Sequence, residues 1–255
     1  MSASNSNSLS STQALSHKKS RCFKPEKLTA PRDFSIPSFV ARQLQDSKAS
    51  AGQASVSHNS RPLIVEIGAG KGMHACLYAK NNPEHDLIAI ERTQNKFTAF
   101  NNLVQLVSNE VVNLDNILAV HADAIPYCVH ALPVQSVDVF YLLYPNPEPK
   151  NPNQQWLNMP FFEFLLSRLK TGGTITLASN IPAYIEEAEQ QAEQLWKLPF
   201  IKEVIAQDSA RTHFEIKYLE RGELCQQLII TKPEAYVTRF DDFQPLQGQN
   251  ASIAE

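Results

Sequence analysis

The chain has 255 residues, of which 43% are hydrophobic, and a formal net charge of −3, which argues against a strongly basic nucleic-acid binder but not against a local basic patch. No apolar run approaches the ~20 residues of a membrane span, and the N-terminus lacks the apolar stretch of a signal peptide. The 4 cysteines and 7 histidines show neither paired nor metal-ligand spacing, so we expect a cytoplasmic protein with reduced thiols and no metal.

Residues 1–60 are rich in Ser, Asn and Gln, and they are predicted to be a largely disordered arm and linker. Within them, residues 17–32 carry basic side chains against one acid, Glu26. This segment either engages a phosphate backbone or is a solvated tail. The basic residues are Lys18, Lys19, Arg21, Lys24, Lys27 and Arg32.

Residues 36–44 are predicted to form a short helix that docks on the main domain, with residues 45–60 as a linker. The folded domain is expected to span residues 61–233. Residues 234–255 are expected to be a loose C-terminal tail.

The first predicted strand is the apolar run that begins at Leu63, and it enters a loop with spaced glycines at Gly68, Gly70 and Gly72. Such glycines allow positive φ and let a ligand lie against bare backbone. A predicted helix over residues 73–82 follows, and then a second strand that ends on Glu91. A carboxylate about 20 residues beyond the loop can accept hydrogen bonds from ribose hydroxyls. The pattern therefore predicts a βαβ unit for an adenosine-containing ligand.

The spacing of the glycines favours one such ligand. A dinucleotide loop needs a glycine at its sixth position, which is Met73 here. Glu66, just before the loop, would repel a pyrophosphate but suits a cationic ligand. S-adenosylmethionine is cationic and carries no phosphate, so it is the predicted cofactor. The alternative is a glycine-rich turn that binds no ligand.

The next predicted elements are a helix over residues 96–107 and a third strand over residues 117–120, followed by Asp123. The Asp123 carboxylate can accept from an adenine amino group or cap the next helix, and both roles are compatible. A fourth strand, over residues 136–143, leads into a turn with Asn146 between two prolines. Ligands bind at this edge of an open α/β sheet, although Asn-Pro is also an ordinary turn former.

Later in the chain, apolar patterns and turn residues predict two helices and three strands. The helices are residues 160–169 and 184–196, and the strands are residues 174–178, 213–218 and 226–231. Residues 170–173 form the turn before the fifth strand, and Asn180 follows that strand at the same edge as Asn146. The last two strands are predicted to form a β-hairpin that closes the sheet.

This order of elements resembles the class I S-adenosylmethionine-dependent methyltransferases. Within about residues 62–232 it resembles one branch, the bacterial tRNA (guanine-N7)-methyltransferases. The matching segments are residues 65–72, 88–91, 122–124, 141–150, 161–165, 169–173 and 212–215. The resemblance implies an α/β, Rossmann-like fold with a seven-stranded, mostly parallel sheet, a C-terminal antiparallel hairpin and helices on both faces. It also implies transfer of a methyl group to guanine N7 in tRNA.

The resemblance assigns site residues to this chain. For the cofactor it implies Glu66, Gly68, Gly70, Glu91 and Asp123. For the methyl acceptor it implies Asn146 and Lys150 as catalytic residues, and Lys150, Asn180, Thr212 and Glu215 as substrate-binding residues.

The chain departs from the family on the acceptor side. In the proline turn, Asn146 stands where the family has aspartate, and Glu148 stands where it has tryptophan. After the fifth strand, Ser179-Asn180 stands where the family has Thr-Asp. Only Lys150 remains of a basic run. Since an amide offers one acceptor and one donor, we expect weaker guanine selection and weaker stabilisation of positive charge. The grip on tRNA is also expected to be weaker, which the basic arm can partly offset.

Two alternatives remain at this point. The first is a methyltransferase for another acceptor, either a small molecule or a protein. The second is a non-catalytic binding protein on the same fold. The proline turn reads Asn-Pro-Glu-Pro rather than the Asn-Pro-Pro-aromatic of amine-directed nucleic-acid methyltransferases, which counts against that variant.

Overall fold

A seven-stranded sheet forms the centre of the computed structural model, which describes residues 23–50, 61–110 and 114–244. The strand order is β3-β2-β1-β4-β5-β7-β6. Only β7 runs antiparallel to its neighbours, β5 and β6. The strands are β1 Leu63–Ile67, β2 Asp86–Glu91, β3 Ile117–His121, β4 Val137–Leu143, β5 Leu169–Ser179, β6 Phe200–Val204 and β7 Gln226–Thr231. The predicted mostly parallel sheet is confirmed.

Helices cover both faces of the sheet. They are α1 Ser38–Ser50, α2 Met73–Asn81, α3 Gln94–Glu110, α4 Ala124–Ala131, α5 Phe161–Arg168, α6 Pro182–Gln190 and α7 His213–Glu220. A π-helical turn, Gln191–Leu195, continues α6. Because successive strand residues point to opposite faces, Val65 belongs to the core cluster with α4 and α5, and Ile64 belongs to the cluster with α2 and α3.

The central position of β1 explains its composition. All five residues of β1 and all six of β2 are buried, so neither strand can alternate polar and apolar residues. The edge strand β6 is mostly exposed instead, with Ile201 at 62% and Val204 at 66% exposure. The strands at the centre of the sheet, β1 and β2, are therefore its most buried ones.

The predicted strand over residues 213–218 is wrong, because these residues form α7. Thr212 is the N-cap, and its hydroxyl accepts a hydrogen bond from the Glu215 N–H at 2.9 Å. This Thr-x-x-Glu spacing is a helix-start signal that outweighs the short alternation of apolar residues. The antiparallel partner of β7 is β6, so the C-terminal pair exists but its first strand lies earlier in the chain.

The segment before the main domain packs against it where it is described. The Phe23 ring contacts Phe161, Phe164 and Phe240 at centroid distances of 5.3, 5.6 and 5.8 Å. The predicted docking helix is confirmed as α1, whose Phe39 and Val40 are buried in the core. Since α1 runs to Ser50, the first part of the predicted linker is helical. Residues 1–22 and 51–60 lie outside the described residues.

The expected loose tail from residue 234 is contradicted in its first part. Phe240 is buried, and its carbonyl oxygen accepts from Arg168 Nη2 at 2.7 Å. Arg239 Nε donates to Glu163 at 2.8 Å, and Tyr236 joins the core periphery. Aromatic rings supply the apolar area that a polar tail lacks. Residues 245–255 lie outside the described residues.

Gly72 is a position where the fold requires glycine. Its φ is +81°, and a Cβ there would stand 1.9 Å from Cδ2 of Phe100. Gly222 also has a positive φ of +72°, but its Cβ would meet nothing within 4 Å. Both glycines adopt a left-handed backbone, but only at Gly72 would a side chain also clash with Phe100.

We therefore expect Gly72→Ala to lower the free energy of unfolding by about 3 kcal/mol, since strain in the left-handed region and overpacking of Phe100 add. The control Gly222→Ala carries the strain alone and should cost about 1 kcal/mol. Urea unfolding at neutral pH measures both. Equal losses in the two variants would contradict the clash with Phe100.

Candidate active site

The loop after β1 is held against the end of β2 by backbone hydrogen bonds. Gly68, Gly70 and Gly72 have φ values of +82°, +61° and +81°. The N–H groups of Gly68 and Ala69 both donate to the carbonyl oxygen of Ile90, at 2.8 and 3.0 Å. The left-handed backbone turns the loop across the carboxyl end of the sheet, as the glycine spacing predicted.

Glu91 ties this loop to the next one. Its carboxylate accepts from the Gly70 N–H at 2.9 Å through Oε2 and from the Thr93 N–H at 2.6 Å through Oε1. The residue is 5% exposed and lines the cavity described below. Each oxygen keeps a further lone pair, so the carboxylate can still accept from two hydroxyl groups of a ligand.

A cavity of about 730 Å³ opens at the carboxyl ends of the parallel strands. We define its cofactor half as the residues at the ends of β1 to β3 and its acceptor half as those after β4 and β5 and on α7. The cofactor half contains Gly68, Gly70, Glu91, Arg92, Lys96 and Asp123, and the acceptor half contains Tyr144, Asn146, Glu148, Trp156, Met159, Asn180, Phe214 and Tyr218.

Asp123 has the helix-capping role predicted for it, and it lies where it could also reach a cofactor. Its Oδ1 accepts from the Ile125 N–H at 2.9 Å and caps α4, and the side chain also lines the cofactor half. Oδ2 lies 4.0 Å from Arg92 Nη1. The side chain is 47% exposed, so it is available to a ligand.

Glu66 is not brought into the cavity lining. It is 2% exposed, and its Oε2 accepts from Nδ1 of His74 at 2.9 Å. His74 in turn lies edge-on to the Tyr141 ring, at 4.8 Å between centroids. A buried carboxylate needs such a partner, and α2 supplies it at the first turn after the loop. The sequence interpretation missed His74.

The two predicted catalytic residues are separated. Asn146 lines the acceptor half, and its Nδ2 donates to Oε1 of Glu148 at 2.7 Å. Lys150 is exposed and is absent from the described lining, because the chain turns away after Glu148 and enters a 3₁₀ turn at Pro152. Glu148, and not the predicted Lys150, therefore lines the cavity.

The predicted substrate-binding residues have three different placements. Asn180 lines the acceptor half, and its Nδ2 donates to Oε2 of Glu223 at 2.6 Å. Thr212 caps α7 and does not line the cavity. Glu215 is 0% exposed and accepts from the Tyr144 hydroxyl at 2.8 Å. Glu215 therefore acts on the acceptor half through Tyr144.

Glu215 is the centre of a buried ionic cluster. Arg211 Nη2 donates to it at 2.8 Å, and the Ser209 hydroxyl also donates. Burial alone opposes ionisation of Glu215, but the hydrogen bonds and charge of Arg211, with Ser209 and Tyr144, hold its pKa below the ordinary 4.5. Burial and the Glu215 contact raise the pKa of Tyr144, so its hydroxyl stays a donor.

Four aromatic or thioether side chains of the acceptor half were missed from the sequence: Trp156, Met159, Phe214 and Tyr218. Phe214 and Tyr218 stand one turn apart on α7, with rings 6.0 Å apart at an interplanar angle of 18°. Helical spacing places both on one face and Glu215 and Leu219 on the buried face. In the strand predicted for residues 213–218, the stacking of Phe214 on Tyr218 could not be foreseen, because it depends on helical spacing.

The cavity suits S-adenosylmethionine by its backbone and charges. A Cβ built on Gly68 or Gly70 meets nothing within 4 Å, so bare backbone faces open space where a ligand can lie. Glu91 and Asp123 offer acceptors to neutral and cationic groups. Burial raises the pKa of the Cys76 thiol to about 11, and the pKa values of Cys128 and Cys225 are raised as well, so none of these thiols is a ready nucleophile.

Within residues 23–50, 61–110 and 114–244, no group of His, Cys, Asp or Glu has the arrangement of a metal site. Across the same ranges, no helix has the length and apolar character needed to cross a membrane.

The comparison with known proteins identifies the family. Residues 60–228 match the family described as "Putative methyltransferase". A tRNA (guanine-N(7)-)-methyltransferase of Neisseria gonorrhoeae is 30% identical over 222 residues, which cover 78% of this chain and 90% of that one. The chain belongs to the tRNA (guanine-N(7)-)-methyltransferase family. Relatives of the same name from Nitrosospira multiformis and Burkholderia lata are 30% and 29% identical, over 66% and 78% of this chain and 72% and 77% of theirs.

A solved structure described as an antibiotic related methyltransferase has a TM-score of 0.51 to this chain at 10% identity, covering 70% of this chain and 95% of that one. At this identity the likeness shows the fold alone. The protein is an S-adenosylmethionine-dependent methyltransferase, as the resemblance implied, and the non-catalytic alternative is set aside.

Replacing Glu91 should weaken cofactor binding. We expect Glu91→Ala to raise the dissociation constant of S-adenosylmethionine ten- to a hundredfold, on the order of 1.4–2.8 kcal/mol, because both the ribose acceptor and the tie to Gly70 are lost. Glu91→Gln keeps one acceptor oxygen, so its dissociation constant should lie between those of wild type and Glu91→Ala. Isothermal calorimetry measures both, with the exposed Glu186→Gln as control. Wild-type affinity in Glu91→Ala would contradict the assignment.

Replacing Glu215 should change the pH dependence of stability. Its lowered pKa means that the ion pair with Arg211 contributes fully above the ordinary value of 4.5 and is lost as the pH falls through the folded-state pKa. Glu215→Gln should therefore be less stable than wild type by about 3 kcal/mol at neutral pH, and the difference should shrink in acid. Urea unfolding across this range tests it, with Glu220→Gln on the same helix as control. A pH-independent difference would contradict the ion pair.

Proposed function

We propose that this enzyme methylates N7 of a guanine in tRNA. The observation that carries the proposal is a single cavity in which a glycine loop with Glu91 adjoins an aromatic acceptor half. The names of the relatives point in the same direction, and one of them aligns over 90% of its length. The cytoplasmic location expected from the sequence stays a prediction.

The residues present suit an acceptor that needs no deprotonation. When bound, S-adenosylmethionine supplies an electrophilic methyl group on a sulfonium. Guanine N7 carries its own lone pair, so the protein has only to bind and orient the base. The residues that line the cavity in the described parts of the chain include neither histidine nor cysteine, and the Glu91 and Asp123 carboxylates among them accept from backbone N–H groups.

The acceptor half offers flat faces to a base. Tyr144, Trp156, Phe214 and Tyr218 line it, and Phe214 is 43% exposed. Stacking of a base on an aromatic side chain contributes about 1–3 kcal/mol. Tyr144 is held in a left-handed conformation, with φ of +50°, and is anchored by its hydrogen bond to Glu215. The Tyr144 ring is therefore held in place before a substrate arrives.

Two cations stand at the mouth of the cavity for the phosphate backbone. Arg92 and Lys96 line the cofactor half and are exposed. Phe23 packs on Phe161, whose ring lies 6.3 Å from that of the cavity residue Trp156. Phe23, the first described residue of the basic segment, therefore lies close to the acceptor half, and the exposed Lys24 next to it would meet an RNA there.

The test is methyl transfer to unmodified tRNA from labelled S-adenosylmethionine, with nucleosides identified by mass spectrometry. We expect N7-methylguanosine, and we expect Glu91→Ala to lower its yield at limiting cofactor at least tenfold, as its cofactor affinity does. Glu186→Gln, on an exposed face of α6, serves as the control variant.

Another acceptor is the second candidate, and one observation favours it. Lys150, the remainder of the family's basic run, does not reach the cavity. If tRNA is unlabelled while a protein or small-molecule fraction of a cell extract gains label, the tRNA proposal is refuted and this second candidate stands.

A further inference from the structure

Three acids line the cavity in the described parts of the chain, and two of them already have a role. Glu91 holds the Gly70 and Thr93 N–H groups, and Asp123 caps α4. Both belong to the cofactor half. Glu148 is the acid of the acceptor half, on the turn that follows β4. The family motif has tryptophan at this position, so it does not account for a carboxylate in the cavity lining.

The turn that carries Glu148 is stiff and aims the side chain. Glu148 has φ of +47°, which is costly for a residue with a Cβ and persists only where neighbours enforce it. Asn146 Nδ2 donates to Glu148 Oε1 at 2.7 Å, and the Glu148 N–H lies 3.5 Å from Asn146 Oδ1. Gln155 Nε2 fixes the Pro147 carbonyl oxygen between them at 3.0 Å. Among the described residues, Oε2 of Glu148 receives no hydrogen bond from the protein.

We propose that Glu148 is the catalytic carboxylate on the acceptor side, and that Asn146 is the residue that positions it. Oε2 accepts from the ring N–H and amino group of guanine, and the carboxylate stabilises the positive charge that the purine gains. This inference rests on the proposed function. In the reaction the N7 lone pair forms the new N–C bond, the C–S bond breaks with its electrons going to sulfur, and no proton leaves. The positive charge therefore moves from sulfur to the purine.

Asn146 cannot supply this charge itself. An amide offers one acceptor and one donor, and the donor of Asn146 is directed at Glu148. The same pattern occurs at Asn180, whose Nδ2 donates to Glu223. Glu223, however, is outside the described lining of the cavity and lies 3.9 Å from Arg221. Of the two glutamates that accept from these amides, Glu148 is the one that faces the acceptor.

The rival explanation is that Glu148 only completes the turn by bonding Asn146. Two variants separate the explanations. Glu148→Gln keeps the size of the side chain and the hydrogen bond from Asn146, but it removes the charge and the second acceptor oxygen. The double variant Asn146→Asp with Glu148→Gln reverses donor and acceptor, so it keeps the hydrogen bond and returns the charge to a neighbouring position. Glu186→Gln is the matched control for loss of one exposed carboxylate.

The first readout is the single-turnover rate of N7-methylguanosine formation in tRNA with saturating cofactor. We expect Glu148→Gln to be slower by roughly ten- to a hundredfold, the loss of one charge-assisted contact. If Glu148→Gln slows the reaction a hundredfold, the double variant should be at least tenfold faster than Glu148→Gln. Calorimetry should give unchanged affinity for S-adenosylmethionine in all variants, since Glu148 lies outside the cofactor half.

The second readout needs no turnover. Trp156 lines the acceptor half, so quenching of its fluorescence reports binding of guanosine 5′-monophosphate and of its 7-methyl derivative, whose base is cationic. Glu148→Gln should weaken binding of the 7-methyl nucleotide, with its cationic base, about tenfold more than binding of the nucleotide with the neutral base.

A wild-type rate in Glu148→Gln, or equal losses for the two nucleotides, overturns the proposed role of Glu148 and leaves the tRNA activity standing. A double variant as slow as Glu148→Gln also overturns it, because the charge would then not be what matters. A wild-type enzyme that forms no N7-methylguanosine refutes the proposed function, and the inference falls with it.

Discussion

The site depends on one carboxylate at the end of a buried strand. Glu91 accepts from the Gly70 N–H of the loop after β1 and from the Thr93 N–H before α3. These bonds hold two loops at the switch point of the sheet, where β1 lies between β2 and β4. Since the residue is almost fully buried, its charge is directed at backbone donors and at the ligand rather than at solvent.

The two halves of the cavity are built by different means. The cofactor half is built on backbone, the left-handed glycines and the ends of β1 to β3, to which the Glu91 and Asp123 side chains are added. The acceptor half is made of side chains that other side chains hold: the buried Glu215 holds Tyr144, and Asn146 is paired with Glu148, which itself lines the cavity. Backbone geometry tolerates little change, whereas side chains can be exchanged in pairs. That difference explains how this chain keeps the cofactor loop of its family and departs from it at the proline turn.

The βαβ unit could be predicted from the sequence because glycine spacing and the strand-end Glu91 have few other uses. The placement of Glu66 could not, since its partner His74 becomes visible only when α2 folds back over β1. The few apolar residues of the segment from His213 fit the period of a strand as well as that of a helix, and the capping signal of Thr212 decides for the helix. The tail from Tyr236 to Phe243 is anchored by long-range packing that no local pattern reveals.

The identity of the accepting atom is the central claim. The direct test is methylation of two tRNA transcripts, one with guanine and one with 7-deazaguanine, in which a carbon replaces N7. The account predicts label from S-adenosylmethionine in the first transcript and none in the second, with similar affinity of the enzyme for both. Equal labelling of the two transcripts would contradict it, because the methyl group would then be accepted elsewhere on the RNA.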